Sequence, residues 1–349
     1  MLVNGRNCID FSSNDYLGLA NDTFLKNRSI EYTEKYGTSS SASRLITGTL
    51  PIHFQLEEQL KSLYGREALI FNSGFQANVS ILPALTGRHD YILADKLCHN
   101  SLLSGCSASR ASLVRYRHND LDHLESLLQK YTGKKRAAVW VVTESVFSMD
   151  GDIAPLNEIG VLCRNYGALL YADDAHATGL YGKQGLGIAA GNENTDLLLV
   201  TFGKAVGAFG AAALMSKKLK EYLVNYCNGF IYTTSLPPSV IGSVSASFEM
   251  LTGMNRERDK IHFNSSYLRK RLKETGANYL DSSSQIIPVV TGSDGRTLMI
   301  SEKLLANGFF VSAIRPPTVP EGSGRLRITV SAKHSQEEIE SLVQVLSNA

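Results

Sequence analysis

A lysine that follows a buried strand is the first residue of this chain to suggest chemistry. Four apolar residues, Leu197 to Val200, indicate a short strand buried on both faces, and Thr201, Gly203 and Lys204 come directly after it. A partly desolvated lysine amine has a lowered pKa and can act as a nucleophile or form a Schiff base. A surface lysine at the start of a loop is the alternative, and this stretch alone does not separate the two.

A second strand end supplies a carboxylate and an imidazole. The apolar stretch from Leu169 to Ala172 is followed by Asp173, Asp174 and His176. Pyridoxal phosphate (PLP) needs a lysine amine for its aldehyde and a carboxylate that keeps its pyridine nitrogen protonated. Lys204 and Asp173 match these two needs, and His176 could reach the phenolic oxygen of the cofactor.

The phosphate of such a cofactor needs an anion site. Ser73, Gly74 and Phe75 open a helix after the first predicted strand, and free N–H groups at a helix start bind phosphate. The hydroxyl of Thr201, three residues before the lysine, is placed to join them. His99 could stack on the cofactor ring, although a single histidine is more often a structural group with satisfied hydrogen bonds.

Two other kinds of site fit less well. The glycines from Gly182 to Gly187 lack the G-x-G-x-x-G order of a dinucleotide site, and Ala205 follows Lys204 where a P-loop needs Ser or Thr. The two aspartates and the histidine after the second strand could bind a metal, but no further His or Glu lies at close spacing. We therefore expect neither a nucleotide nor a metal.

Composition narrows the class of protein. The chain has 349 residues and a formal net charge of +2 without charge runs, which argues against nucleic-acid binding. Its hydrophobic residues, 43% of the total, form only short runs, so we expect no membrane span and no signal peptide. The five cysteines form no C-x-x-C pair, which disfavours disulfides and zinc sites. We expect a cytoplasmic protein.

Alternating strands and helices must position these residues. Short apolar strands separated by helices or long connections predict an α/β fold with a mostly parallel, seven-stranded sheet, in which ligands lie beyond the carboxyl ends of the strands. The candidate residues nearly all fall at such ends. The predicted strands are Ala68–Asn72, Tyr91–Ala94, Leu113–Arg117, Ala137–Thr143, Ala168–Ala172, Leu197–Thr201 and Ala211–Met215.

Three segments are predicted along the chain: an N-terminal segment (1–49), a large cofactor-binding domain (50–238) and a smaller C-terminal α+β domain (239–349). A helix begins after Pro51 and ends at Gly65, and the final helix opens with a capping box from Ser335 to Glu338. Between them the C-terminal elements are predicted as helices Ser239–Leu251, Asp259–Glu274 and Thr297–Ala306, and strands Gln285–Val290, Phe309–Ile314 and Arg325–Val330.

Seven motifs in order give the chain a family resemblance that covers nearly its whole length. It resembles the α-oxoamine synthases, PLP-dependent transferases of fold type I, and a narrower assignment within them rests on residues 313–329. The motifs are Phe11-Ser-Ser-Asn-Asp-Tyr-Leu-Gly-Leu, Asn72-Ser-Gly-Phe-Gln-Ala-Asn, His99-Asn-Ser-Leu-Leu-Ser-Gly, Glu144-Ser-Val-Phe-Ser-Met-Asp-Gly-Asp, Asp173-Asp-Ala-His, Thr201-Phe-Gly-Lys and Ile231-Tyr-Thr-Thr-Ser-Leu-Pro-Pro.

The resemblance implies a role for each matching residue. Lys204 matches the lysine that carries PLP as an aldimine. Asp173 matches the partner of the pyridine nitrogen, and His176 matches the partner of the phenolic oxygen. His99 matches the histidine that stacks on the cofactor ring and also contacts the substrate. The remaining implied cofactor contacts are Gly74, Phe75, Ser148 and Thr201, with Thr233 and Thr234 reaching the phosphate from the neighbouring subunit of a homodimer. The implied substrate contacts are Arg327, which grips the amino-acid carboxylate, and Asn14 and Thr318.

The implied reaction is a decarboxylative condensation of L-alanine with a pimeloyl thioester, carried by coenzyme A or an acyl-carrier protein. Acetyl transfer to glycine, or another reaction of the same family, is the alternative, and a silent partner subunit is the alternative of another class. Family members usually carry a longer segment before the Phe11 motif, including a basic helix over the acyl-thioester entrance. We expect either that this lid is lacking or that the natural start lies upstream.

Overall fold

The computed structural model describes residues 1–134 and 137–348. Within it the chain forms two compact units. The larger unit comprises Leu19–Ser145 and Ala154–Met254, and the smaller unit comprises Met1–Gly18, Val146–Ile153 and the chain from Asn255 onward.

The elements alternate along most of the chain. The strands are β1 (Leu2–Val3), β2 (Arg6–Asn7), β3 (Ile9–Asp10), β4 (Glu67–Phe71), β5 (Tyr91–Asp95), β6 (Ser112–Tyr116), β7 (Val139–Glu144), β8 (Leu169–Asp173), β9 (Leu197–Thr201), β10 (Ala211–Met215), β11 (Ile286–Gly292), β12 (Phe309–Phe310), β13 (Ser312–Ile314) and β14 (Gly324–Thr329). The helices are α1 (Thr23–Tyr36), α2 (Pro51–Tyr64), α3 (Gly74–Leu85), α4 (Asn100–Ala108), α5 (Leu121–Tyr131), α6 (Leu156–Tyr166), α7 (Lys217–Tyr226), α8 (Asn228–Ile231), α9 (Pro238–Leu251), α10 (Asn255–Glu274), α11 (Asp294–Ala306) and α12 (Gln336–Ser347).

A seven-stranded sheet forms the centre of the larger unit. Its strand order is β4-β10-β9-β8-β7-β5-β6, and the neighbouring pairs are parallel except those of β10, which runs antiparallel to both β4 and β9. The seven predicted strands are the seven strands of this sheet, with ends that differ by at most two residues. Mostly apolar runs identified the inner strands because both of their faces are buried, whereas the edge strand β6 contains the exposed residues Ser112 and Arg115.

Helix ends follow the signals read from the sequence. Pro51 occupies the first turn of α2, and Gly65 ends that helix in the left-handed region at φ 66°. Before α12, the Ser335 hydroxyl accepts from the Glu338 N–H and the Glu338 carboxylate accepts from the Ser335 N–H, which confirms the capping box.

The smaller unit is built on a three-stranded antiparallel sheet of order β11-β14-β13. The single strand predicted over Phe309–Ile314 is wrong, because the structure has two short strands there. β12 pairs in parallel with β3, whereas β13 pairs with β14. The chain changes partner at Val311, which is buried between the two strands.

The boundaries of the two units differ from the domain boundaries expected from the sequence. Residues 239–254 fall in the larger unit, since α9 packs along α1, and the first eighteen residues fall in the smaller unit, since β3 pairs with β12. Among the described helices, none combines the length and the apolar character that a membrane crossing requires.

Candidate active site

The carboxyl edge of the large sheet gathers four ionisable side chains. Asp173 ends β8, Glu144 ends β7, Lys204 follows β9 and His99 follows β5. These four strands are parallel neighbours in the sheet, so their carboxyl ends lie at the same edge. The topology therefore brings together residues that lie up to about a hundred positions apart in the sequence.

Asp173 is a buried carboxylate held by two neutral donors. The Asn78 side-chain amide donates to Oδ2 over 2.9 Å, and the Ala175 backbone N–H donates to Oδ1 over 2.9 Å. Both donors are uncharged, and together they fix the direction of the carboxylate. The group is therefore suited to stabilise a cation nearby.

His99, Asp173 and Lys204 interact electrostatically. Burial lowers the pKa of His99 from its ordinary value, the charge of Asp173 raises it, and the charge of Lys204 lowers it. The net direction is downward, so the imidazole is neutral near pH 7. His99 and Lys204 thus lie close enough to Asp173 to form one electrostatic group, as the sequence predicted.

Glu144 belongs to the same group, although only its position at a strand end was noted from the sequence. Its carboxylate accepts the His99 backbone N–H in a short hydrogen bond. Burial and the charge of Asp173 raise its pKa to about 8, against the opposing effects of Lys204 and the hydrogen bond. Near pH 7 the Glu144 carboxyl is therefore mostly protonated.

An anion site lies where α3 begins. Ser73 caps the helix by accepting the Gln76 N–H over 3.1 Å, which leaves the N–H groups of Gly74 and Phe75 without partners inside the helix. A Cβ on Gly74 would lie 2.6 Å from Cγ2 of Thr201, so the helix start and the end of β9 are in direct contact. The Thr201 hydroxyl is buried and has no hydrogen-bond partner among the residues that the structure describes.

His176 lies in the loop after β8 and is buried, three residues beyond Asp173 as predicted. Its neighbour Asp174 is also buried and accepts the Ser145 hydroxyl and the Ala189 N–H, the latter over 3.0 Å. Burial raises the pKa of Asp174 to about 7. These bonds tie the loop after β8 to the loop that contains Ala189.

Thr233 and Thr234 lie beside the anion site of their own chain. The Asn72 side-chain amide donates to the Thr233 hydroxyl over 3.0 Å and to the Thr234 carbonyl over 2.8 Å. Asn72 immediately precedes the Ser73 cap of α3. The threonine segment and the start of α3 are therefore fixed to each other.

The predicted substrate arginine lies in the smaller unit. Arg327 is buried in β14, where its Nε donates to the Ser148 carbonyl over 2.6 Å and both terminal nitrogens donate to Asn14 Oδ1 over 3.2 Å. The Tyr16 hydroxyl donates to the same Asn14 oxygen over 3.0 Å. Uncharged oxygens thus orient a buried guanidinium, which can still bind a carboxylate.

The structure places Asn14 beside Arg327, as predicted, and it adds the Ser148 backbone carbonyl to this group. The predicted role of Ser148 as a cofactor contact stays a prediction. Thr318 lies in an exposed turn, where its N–H donates to the Arg315 carbonyl over 3.0 Å. Its role as a substrate contact stays a prediction.

A family model describes nearly the whole chain. The model for aminotransferase class I and II matches residues 6–346. The chain belongs to the class I and II aminotransferase family. This membership confirms the predicted α/β fold of the PLP-dependent transferases.

Curated relatives and solved structures agree with the narrower resemblance to the α-oxoamine synthases. An 8-amino-7-oxononanoate synthase from Geobacter sulfurreducens is 42% identical and is matched over 99% of this chain and 90% of its own length. The structure of an 8-amino-7-oxononanoate synthase from Francisella tularensis has a TM-score of 0.85 at 28% identity, with 98% of this chain and 97% of that chain covered. A serine palmitoyltransferase variant from S. paucimobilis, with a bound PLP–myriocin aldimine, has a TM-score of 0.94 at 30% identity and covers 99% of this chain and 88% of that chain.

Within this aminotransferase-family site, sequence reasoning missed Asn78 and Ser101, which hold Asp173 and His99. One available signal was helical spacing, because Asn78 lies four residues after Gly74, one turn further along α3. Ser101 lies two residues after His99, which is the spacing of a side chain that caps a helix start.

Proposed function

We propose that this chain is an 8-amino-7-oxononanoate synthase: it condenses L-alanine with a pimeloyl thioester and releases carbon dioxide and the carrier thiol. The observation that carries the proposal is the grouping of Lys204, Asp173 and His99 at the carboxyl edge of the sheet. It is supported by curated relatives of that name that match almost the full chain. The pathway implied is biotin biosynthesis.

The residues present fit PLP as the cofactor. Its phosphate needs donors in a small space, and the first turn of α3 supplies two N–H groups that have no partner within the helix. Beside them lies the buried Thr201 hydroxyl, which has no hydrogen-bond partner in the described part of the chain. The absence of a side chain at Gly74 keeps this space open. The fixed carboxylate of Asp173 suits the protonated pyridine nitrogen, and His176 would hold the phenolic oxygen.

Bound PLP supplies an electron sink for the pair of electrons left on Cα of alanine when its proton departs. Lys204 would hold the cofactor through its Nζ, and the same amine would serve as the base that takes the Cα proton of alanine. The Asp173 carboxylate would hold the pyridine nitrogen of the cofactor. His99, neutral because burial lowers its pKa, would contact the cofactor ring and the substrate.

Arg327 binds the carboxylate of alanine in this proposal. A buried guanidinium held by uncharged oxygens retains its full charge for an incoming carboxylate. Asn14 sets its orientation, because one amide oxygen accepts from both terminal nitrogens. Thr318 would contact the acyl part of the substrate from the exposed loop before β14.

The active unit is proposed to be a homodimer whose subunits share their sites. The bridge between Ser43 and Thr234 places two loops side by side on the larger unit. These loops expose apolar side chains, of which Ile46 is 76% exposed and Tyr232 80% exposed. Apolar area of this kind beside the anion site is typical of a protein interface. A second copy would cover it, with Thr233 and Thr234 reaching the partner's phosphate site. The cytoplasmic location predicted from the sequence also stays a prediction.

Thiol release tests the proposal. The purified PLP-loaded enzyme is mixed with L-alanine or glycine and with pimeloyl- or acetyl-coenzyme A, and Lys204→Ala serves as the control for each pair. We expect L-alanine with the pimeloyl thioester to give the highest kcat/KM and the alanine variant to give none. A preference for glycine and the acetyl thioester would replace this proposal by acetyl transfer, and no release from any pair would indicate a silent partner subunit. A parallel assay with pimeloyl acyl-carrier protein decides the carrier.

A further inference from the structure

A single side-chain amide links two of the site residues. Asn78, on the buried face of α3, donates from Nδ2 to Asp173 Oδ2 over 2.9 Å and to Ser101 Oγ over 3.0 Å. Its Oδ1 accepts from the Tyr171 hydroxyl over 2.6 Å. Asn78, Ser101 and Tyr171 are each at most 2% exposed. Solvent therefore does not compete for these bonds.

The orientation of this amide follows from its partners. If the amide were rotated by half a turn, its oxygen would face the carboxylate of Asp173, and two acceptors would lie in contact in a buried place. Only the orientation with Nδ2 toward Asp173 satisfies all three neighbours. Both hydrogens of Nδ2 are then used, one for Asp173 and one for Ser101.

The hydrogen bond from Asn78 also determines where the hydroxyl proton of Ser101 points. Because Ser101 Oγ accepts from Asn78, its single hydrogen is free to be donated to His99 Nδ1, which lies 2.7 Å away. The backbone N–H of Ser101, which can only donate, also points at His99 Nδ1 over 3.2 Å. Two donors meet at Nδ1, so Nδ1 carries no proton and the neutral ring is protonated at Nε2.

The helix packing that creates this arrangement depends on a glycine. A Cβ on Gly105 of α4 would lie 2.1 Å from the carbonyl oxygen of Asn78, so α4 approaches the backbone of α3 at this one residue. This contact brings the start of α4, with His99 and Ser101, alongside Asn78. The close approach of the two helices and the hydrogen bonds therefore both involve Asn78 of α3.

We propose that Asn78 and Ser101 are positioning residues that hold His99 as its Nε2–H tautomer and, through the same amide, fix the direction of the Asp173 carboxylate. The inference about the tautomer stands on the chain's own bonds and needs no cofactor. Its consequence for turnover, a neutral ring that can donate only from Nε2, rests on the proposed function.

Nitrogen-15 NMR of histidine-labelled protein tests the tautomer, with and without added PLP. The chain has 8 histidines, and His99 is assigned by the signal missing from His99→Asn. In the unaltered protein we expect the Nδ1 shift of an unprotonated ring nitrogen and the Nε2 shift of a protonated one. A protonated Nδ1 in neutral His99 of the unaltered protein would overturn the proposal.

Two variants test the two positioning residues. Ser101→Ala removes one donor to Nδ1 of neutral His99, so the pKa of His99 should rise by roughly half a unit or more, with some Nδ1–H form appearing. Asn78→Ala should move the same signals in the same direction by a smaller amount. The charges of Asp173 and Lys204 also act on the pKa of His99. Because Asn78 is bonded directly to Asp173, Ser101→Ala is the cleaner of the two variants.

Ser104→Ala is the matched control, because Ser104 lies on α4 and its hydroxyl donates to Asn100 over 2.8 Å. It should leave the His99 signals as in the unaltered protein. Signals that stay unmoved in Ser101→Ala, or that move equally in Ser104→Ala, would overturn the proposal. This outcome is independent of the thiol-release assay, so either inference can fail while the other holds.

Discussion

At the scale of single residues, burial and neighbouring charges decide what each group can do. Glu144 and Asp173 are both buried carboxyls at the ends of adjacent strands, and burial raises the pKa of Glu144 to about 8. Asp173 accepts two hydrogen bonds, from Asn78 and from Ala175. The residue types suggested a PLP site from the sequence, but the raised pKa of Glu144 and the hydrogen bonds of Asp173 follow only from the contacts.

The Thr201 hydroxyl provides a test of the phosphate site. Thr201→Val keeps the shape of the side chain and removes the hydroxyl, so the Kd for PLP should rise by roughly tenfold or more, as expected for a lost hydrogen bond to a charged group. Fluorescence titration of the apoprotein with PLP measures this Kd.

Thr195→Val is the matched control, because the Thr195 hydroxyl is also buried and also has no hydrogen-bond partner among residues 1–134 and 137–348, but it precedes β9 at its other end. It should leave the Kd for PLP unchanged. Equal effects of the two valine variants would refute the assignment of Thr201 to the phosphate.

At the scale of elements, the sequence was sufficient to predict a strand or helix wherever one kind of sequence pattern dominated. Most strands of the large sheet are apolar runs bounded by polar or glycine residues, and α12 begins with an unambiguous capping box. The strand predicted over Phe309–Ile314 failed because apolar periodicity does not reveal where a strand changes its pairing partner. Asn78 escaped notice because its partners lie on other strands and helices.

The contact between α3 and β9 gives a second prediction. Gly74→Ala places a methyl group 2.6 Å from Cγ2 of Thr201, so the start of α3 must move and PLP binding should weaken by roughly tenfold or more. The double variant Gly74→Ala/Thr201→Ser lacks that Cγ2 and keeps the hydroxyl. It should recover most of the lost affinity in the same titration, and a double variant as weak as Gly74→Ala alone would contradict this account of the anion site.

The buried carboxyl of Glu144, at the end of β7, gives a third prediction. The pKa of Glu144 is about 8 in the folded protein against 4.5 as its ordinary value, so between these two values the folded state binds a proton that the unfolded state has lost. The contribution of Glu144 to the free energy of unfolding is therefore full below pH 4.5 and is lost as the pH rises toward 8.

Denaturation of the apoprotein in urea at pH 5 and pH 8 measures that dependence. Glu144→Gln keeps an oxygen for the His99 N–H and cannot ionise, so its stability should fall less over this interval than that of the unaltered protein. An equal change in the free energy of unfolding between pH 5 and pH 8 in the two proteins would mean that Glu144 has an ordinary pKa in the folded protein.

At the scale of the whole molecule, the larger unit was predictable and the division of the chain was not. Alternating strands and helices indicated the sheet, but a linear reading placed the domain boundaries after residues 49 and 238. The structure assigns three separated stretches to the smaller unit, including the short stretch Val146–Ile153. Such an assignment depends on pairings such as β3 with β12, between residues some three hundred positions apart in the sequence.

The shared sites of the proposed homodimer give a fourth prediction. Hybrid dimers are made from Lys204→Ala and from Thr233→Ala/Thr234→Ala by co-expression with two affinity tags. If the threonines serve the partner's site, one site of each hybrid contains both the lysine and the threonines. The hybrid should then recover up to about half of the unaltered activity, because one of its two sites is intact. Activity no higher than that of the parent variants would place the threonines in the site of their own chain.

The attachment of PLP to Lys204 is the claim on which the proposed reaction depends. The PLP-loaded protein is reduced with borohydride and digested, and the peptides are identified by mass spectrometry. We predict that the pyridoxyl phosphate group is found on the peptide containing Lys204, and that no peptide carries it in Lys204→Ala. A label on a different lysine, or a label that persists in Lys204→Ala, would contradict the account.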